Sequence, residues 1–250
     1  MARKSFKAGA LTAPVPPVLV TVGDMNEANI ITIGWTGILS THPPRTYISV
    51  RPERYSYSIL KSRREFVINL ARASMAREVD FVGIYTGAKV DKFERCGFTR
   101  TASTEVAAPT ISECPIALEC RVVEIIPMGT HDVFISDIVG VSCDESVLDE
   151  KGRICFDRAG LLAYAHGEYF ALGEKLGQFG FSAKKAGRSR QPAKASIALK
   201  AAEEAHADTN TEREKGNNAP SAPEKKPFYL GIAGKRGARG GSSQKRKGRR

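Results

Sequence analysis

Ala117-Leu-Glu-Cys-Arg-Val-Val-Glu-Ile-Ile126 and Asp132-Val-Phe-Ile-Ser-Asp-Ile-Val-Gly-Val-Ser-Cys143 flank the short turn-forming stretch Pro127-Met-Gly-Thr130. Both flanks are rich in β-branched residues, so the three segments predict one long antiparallel hairpin. Val18 to Val22, ending at Gly23-Asp24, then Ile30 to Ile33 and Tyr47 to Val50, predict three further strands early in the chain, and Glu65 to Leu70 predicts another. In Ser40-Thr-His-Pro-Pro44 the prolines lack the N–H a ladder needs, so the segment marks a loop or a sheet edge.

Helical segments are few and short. Ser56 to Ser62 carries cap-type residues, Ser74 to Phe81 places Met75, Val79 and Val82 at helical spacing, and Asp91 to Cys96 stops at Gly97. The intervals between strands leave little room for crossover helices. The fold class expected is therefore mainly β, an antiparallel barrel or sandwich with short helices rather than a parallel sheet. No repeat of 20 to 50 residues, dinucleotide fingerprint, phosphate loop, HExxH or GxSxG is present.

Charge divides the chain in two. Of its 38 Lys and Arg and 27 Asp and Glu, residues 183–250 hold 18 and 6, a net of +12, whereas residues 1–182 sum to −1. The last 68 residues contain only Ile197, Leu199, Phe228, Leu230 and Ile232 as large aliphatic or Phe side chains, too little apolar surface to offset the entropy of ordering. We expect a folded domain over 1–182 and a basic tail over 183–250 that is disordered, with at most a transient helix near Ala193 to Ala207. Such a tail can neutralise phosphates of a nucleic acid, or serve only as a solvated extension.

No apolar run is long enough to span a bilayer as a helix, and the prolines behind the basic start (Pro14, Pro16, Pro17) do not fit a secretory signal. The five cysteines are odd in number and show no CxxC spacing. With only four histidines they point to reduced thiols in the cytoplasm rather than to a zinc or iron–sulfur site.

Three constellations carry chemistry. Arg51-Pro-Glu-Arg-Tyr-Ser-Tyr57 sets cations and hydroxyls at a helix start, which suits a phosphate, although the residues alone favour Ser56 as a simple cap and Arg54 as a solvated charge. Lys92 would add a second cation. Trp35, Thr36, Ser40 and Thr41 follow an apolar strand and offer an aromatic face with hydroxyls for a flat heteroaromatic ring, or else core packing and turn chemistry. His131, at the hairpin tip, has an imidazole able to donate or accept a hydrogen bond near neutral pH.

Seven segments, taken in order, form one pattern: Asn29-Ile-Ile-Thr-Ile-Gly-Trp-Thr-Gly, Ser40-Thr-His-Pro-Pro, Arg54-Tyr-Ser-Tyr, Glu65-Phe-Val-Ile-Asn-Leu, Asp91-Lys-Phe, Gly129-Thr-His-Asp-Val-Phe-Ile and Tyr164-Ala-His-Gly-Glu-Tyr. Together, from about Pro14 to Ser182, they resemble the flavin reductase-like FMN-binding split-barrel family, closest to its flavoredoxin-type branch. The resemblance implies a six-stranded Greek-key split barrel and a homodimer. It also implies electron transfer through FMN from NADH, NADPH or an electron-transfer protein to free flavin, a metal or a protein acceptor. By position it implies that Asn29, Trp35, Thr36, Ser40 and Thr41 line the ring and ribityl chain, that Arg54, Ser56, Tyr57 and Lys92 hold the phosphate, and that Asn69 bonds near the flavin. His131 then falls near the flavin and the nicotinamide site, with Thr130 where the reductase branch often has Asp.

Overall fold

A computed structural model of the chain describes residues 3–183. The expectations for a disordered basic tail, its transient helix and its contact with nucleic acid concern residues 184–250 and lie outside the described residues. Two compact units divide the chain, Met1–Phe179 and Gly180–Arg250. Of the second, residues 180–183 are described, with a single 3₁₀ turn at Phe181–Ala183.

The first unit is built on one antiparallel sheet. Its strands are β1 (Val18–Gly23), β2 (Ala28–Ile33), β3 (Thr36–Thr41), β4 (Pro44–Val50), β5 (Glu65–Leu70), and, after the two-residue strands β6 (Arg100–Thr101) and β7 (Thr110–Ile111), the long pair β8 (Ile116–Pro127) and β9 (Asp132–Cys143). Their spatial order is β2-β1-β5-β8-β9-β4-β3. The hairpin read from the sequence is the spine of the sheet: β8 lies against β5 and β9 against β4. A small separate hairpin, β10 (Leu162–Ala165) and β11 (Glu168–Ala171), follows.

Alternation explains how the sheet curls around a core. Val18, Val20 and Val22 of β1, Ile31 and Ile33 of β2, Ile48 and Val50 of β4, Phe66 and Ile68 of β5, Cys120 and Val122 of β8, and Phe134 of β9 form one buried cluster. They are residues of one sheet face, two apart along their strands, so their burial together requires a closed or nearly closed barrel. The resemblance implies six strands; the sheet has seven, of which six supply this interior. β3 is a seventh strand that pairs only with β4 at the sheet edge.

β3 is where expectation and structure differ. Trp35 and Thr36 are expected to follow the strand that ends at Ile33, and Ser40 to Pro44 to mark a loop or a sheet edge; residues 36–41 instead form a strand of their own at that edge, and Pro44 opens β4 at its first position, where a missing N–H costs little. Only His42 and Pro43 remain to turn the chain.

Helix α1 (Tyr55–Arg63) buries Leu60 in the barrel cluster. Helix α2 (Ala76–Ile84), preceded by a 3₁₀ turn at Ala73–Met75, packs Met75, Val79 and Val82 onto the outward face of β1 and β2, against Leu19 and Ile30. The short α3 (Lys92–Cys96) adds Phe93 to the same cluster. Because β1 is covered on both faces, all six of its residues are buried. Among the described residues no helix is long and apolar enough to cross a membrane.

Candidate functional site

A cleft of about 100 Å³ opens between β2, the start of α1 and the loop after α2. Asn29, Arg54, Ser56 and Lys92, four of the residues singled out in the sequence, line it together.

Lys92 owes its place to Asp91. The Asp91 carboxylate caps α3, accepting from the N–H groups of Phe93 at 2.9 Å and Glu94 at 3.2 Å, and so fixes the first helical residue. The Lys92 side chain then runs inward. Its Nζ donates to the Ile30 carbonyl at 2.8 Å and the Val82 carbonyl at 2.9 Å, the latter in the last turn of α2, where a cation is favoured. An ammonium has three donors, so one remains for the cleft. Burial, aided by the Arg54 guanidinium, pulls the Lys92 amine down to about 8.

Arg54 occupies the N-cap position of α1 in an extended conformation, and no side chain caps this helix. Tyr57 N–H donates to the Arg54 carbonyl at 2.9 Å, which leaves the Tyr55 and Ser56 N–H groups and the positive end of the helix dipole available to an anion. Ser56 stands inside the first turn, fully buried, and accepts a 2.7 Å hydrogen bond from Asn29 Nδ2. It is thus not the cap of its helix, and its own proton is still free to donate. Arg54 has no carboxylate partner among the described residues. Its neighbour Arg51 has one: Arg51 Nε lies 2.7 Å from Glu53 Oε1, an ionic contact without the alignment of a hydrogen bond.

The loop after α2 completes the wall with Tyr85, Thr86 and Gly87, which sequence reading overlooked. At Gly87 any β-carbon would stand 2.2 Å from Asn29 Oδ1 and 2.8 Å from a ring carbon of Tyr55. The signal available was a glycine just ahead of Asp91-Lys-Phe93, but a loop glycine shows its use only when its neighbours in space are known.

Trp35 and His131 form a second group. Their ring centroids are 4.8 Å apart, tilted by 44°, and Trp35 is 46% exposed. His131 Nδ1 meets the Thr130 hydroxyl at 2.9 Å. Partial burial holds the imidazole below its ordinary value, with Arg51 and Arg54 adding to the effect and Glu53 opposing it. The positive charge of Arg54 thus bears on both Lys92 and His131.

Other expected residues are engaged elsewhere. Thr36 Oγ1 donates to the Tyr47 carbonyl at 2.6 Å, Ser40 Oγ donates to the Pro43 carbonyl at 2.5 Å, and Thr41 is exposed at the end of β3. All three belong to the β3–β4 hairpin and do not line the cleft. Asn69 is fully buried, with Nδ2 donating to the Leu19 carbonyl at 3.0 Å and Oδ1 accepting from Ile111 N–H at 2.9 Å. Its amide ties β5 to β1 and β7 and is not presented to the cleft. Tyr57 turns away as well, and donates to Asp132 Oδ2 at 2.5 Å. No cluster of three or more potential metal ligands occurs among the described residues.

The model of the flavin reductase like domain matches residues 11–173. The flavoredoxin of Desulfovibrio vulgaris (Miyazaki F) is similar at 32% identity and a TM-score of 0.69, over 73% of this chain and the whole of that one. An uncharacterized protein of Archaeoglobus fulgidus is 31% identical over 141 residues, 56% of this chain and 79% of that protein. The NADPH-flavin oxidoreductase of Streptomyces viridifaciens is 24% identical over 141 residues, 56% of this chain and 68% of that protein. With a family model covering more than half of the sequence, and a fold and a cationic cleft that agree with it, the chain belongs to the flavin reductase-like family of FMN-binding oxidoreductases.

Proposed function

We propose that the cleft holds the phosphate of FMN and that the Trp35–His131 pair borders its ring, so that the protein passes electrons through the flavin. The observation that carries this reading is the convergence of Lys92, Arg54 and the uncapped start of α1 on one cleft. Two cations and free helix N–H groups suit a dianion. The room kept by Gly87 would be filled by any side chain.

The flavin, when bound, supplies hydride and single-electron chemistry that no side chain can perform. The chain's own residues bind and orient. Lys92 and Arg54 neutralise the phosphate charge, the Ser56 hydroxyl and the Tyr55 and Ser56 N–H groups donate to its oxygens, and Asn29 holds Ser56 in place. In the tautomer in which the Thr130 hydroxyl donates to Nδ1, His131 carries its proton on Nε2. Its lowered basicity keeps it neutral at pH 7, a donor without added charge. A neutral donor there can steady the carboxamide of NADH or NADPH against the ring. On this reading His131 is the catalytic residue.

Two exposed apolar residues on edge strand β3, Ile38 and Leu39, support a homodimer. Five free cysteines support a reducing compartment such as the cytoplasm. The folded domain is assigned to 1–182 and the basic tail to 183–250.

Anaerobic titration of the FMN-loaded protein with NADH and NADPH tests the donor. Bleaching of the flavin bands makes it a reductase of free flavin, a metal or a protein acceptor. Flavin that stays oxidised makes it a flavoredoxin-like carrier reduced by an electron-transfer protein.

A second reading rests on the +12 charge of residues 183–250. It has the tail bind nucleic acid without sequence preference. The full chain should then bind DNA or RNA with a steep salt dependence that is lost when 184–250 are removed. No binding at ~50 mM salt contradicts it.

A further inference from the structure

The first turn of α1 faces two ways. Arg54 and Ser56 line the cleft, whereas Tyr57, rotated by about 100° from Ser56, packs against the barrel cluster with its ring edge-on to Phe134 at 5.7 Å. From there its phenol donates to Asp132 Oδ2 at 2.5 Å. Asp132 is the first residue of β9, paired with Val50 on one side and Pro127 on the other, and it directly follows His131. The turn itself is closed by Met128 N–H on the His131 carbonyl at 2.8 Å. Among the described residues the Tyr57–Asp132 bond is the one side-chain hydrogen bond joining residues 128–132 to another element of the fold. The carboxylate also pushes the phenol up from its ordinary value, so the donor keeps its proton across the working range.

We propose that Tyr57 is a positioning residue: by holding Asp132 it fixes the turn that carries His131 against Trp35, so that the helix receiving the flavin phosphate also sets the placement of the imidazole. The proposal rests on the reading in which His131 borders the flavin ring. It adds a mechanical link between two parts of the site, with the phenol acting through Asp132 and not on the flavin.

The groups facing His131 are Trp35 at the end of β2, Arg51, Glu53 and Arg54 from the segment between β4 and α1, and Thr130 and Asp132 on its own hairpin. Tyr57→Phe changes none of these charges and keeps the ring on Phe134. Loosening the turn hydrates the imidazole and relieves the burial that depresses it. Trp35 is the only tryptophan, so its emission in the flavin-free protein reports protonation of the adjacent imidazole.

The experiment follows Trp35 emission against pH in the wild-type chain, Tyr57→Phe and Asp132→Ala, with His131→Ala to identify the transition. The wild type is expected to titrate below 6.5, the ordinary value of the imidazole. Tyr57→Phe, which breaks the bond without changing a charge, should move the midpoint up by about half a pH unit, whereas Asp132→Ala also removes a carboxylate beside the imidazole and should move it up by less. Both variants should also raise the KM for the nicotinamide or protein donor, with FMN affinity within about threefold of wild type. Phe134→Leu, which loosens packing and spares the bond, should lower the melting temperature and leave the midpoint in place. Superimposable curves for wild type, Tyr57→Phe and Asp132→Ala overturn the proposal, as does a wild-type curve without a transition that depends on His131. If the midpoints move but His131→Ala turns over normally, the link stands and the role given to His131 falls.

Discussion

Asn29 Nδ2 and Ser56 Oγ are 2.7 Å apart and both residues are buried, so β2 and α1 meet at a hydrogen bond in the wall of the cleft. Asn29→Ala leaves Ser56 without its donor and opens space beneath the loop at Gly87. The expected cost is about 1–3 kcal/mol of unfolding free energy, with FMN affinity about tenfold weaker. Denaturant unfolding and FMN titration check the two effects separately.

Lys92 makes the site sensitive to pH in a definite direction. Its amine titrates at about 8 in the fold against 10.5 when unperturbed. Between those values the unfolded chain binds more protons than the native one, so this group makes stability rise with pH over that window and contributes nothing to the slope below it. Flavin affinity runs the opposite way, because the phosphate is held by the charged form. Affinity should be flat from pH 7 to about 8 and decline above it, by at most about tenfold per pH unit. Lys92→Met should bind FMN about 10- to 100-fold more weakly, and without this dependence. A wild-type affinity unchanged between pH 7 and 9.5 contradicts the assignment.

Gly87 is required for space and not for backbone freedom. A β-carbon at 2.2 Å from Asn29 Oδ1 displaces the amide that supports Ser56. Gly87→Val should therefore lower FMN affinity at least about tenfold, while the far-ultraviolet circular dichroism stays that of the wild type.

Glu119 offers a control remote from the cleft. It is fully buried on β8, with Oε1 accepting from Thr104 N–H at 3.2 Å and Thr104 Oγ1 at 3.1 Å, and Oε2 from Glu105 N–H at 2.6 Å. Glu119→Ala strands those donors and should cost about 2–3 kcal/mol of stability. FMN affinity should stay within about threefold. A comparable loss of flavin binding would mean that cleft and barrel are not separable.

The elements legible in the sequence are those whose local signals agree with their tertiary setting. β5 stands where its β-rich apolar run places it, and α3 begins at the Asp91 cap and ends at Gly97 in the left-handed region. β3 was hidden because an edge strand with one partner need not alternate: its Ile38 and Leu39 are adjacent and both exposed. Motifs identified Asn29, Arg54, Ser56 and Lys92 as candidates that the structure brings to one cleft. Residue type alone says nothing about which face a side chain takes. Phe66 and Ile68 of β5 point into the barrel, so Asn69, one residue on, faces away with Val67. Tyr57 differs from Ser56 by a single helical step and ends on the opposite side of α1.

Equilibrium titration of the purified, folded chain with FMN, followed by the visible absorption bands, tests the central claim most directly. One FMN bound per chain in the micromolar range or tighter, weakened by Lys92→Met, is the result predicted. Folded protein that neither retains FMN on purification nor binds it at micromolar concentration would contradict the account.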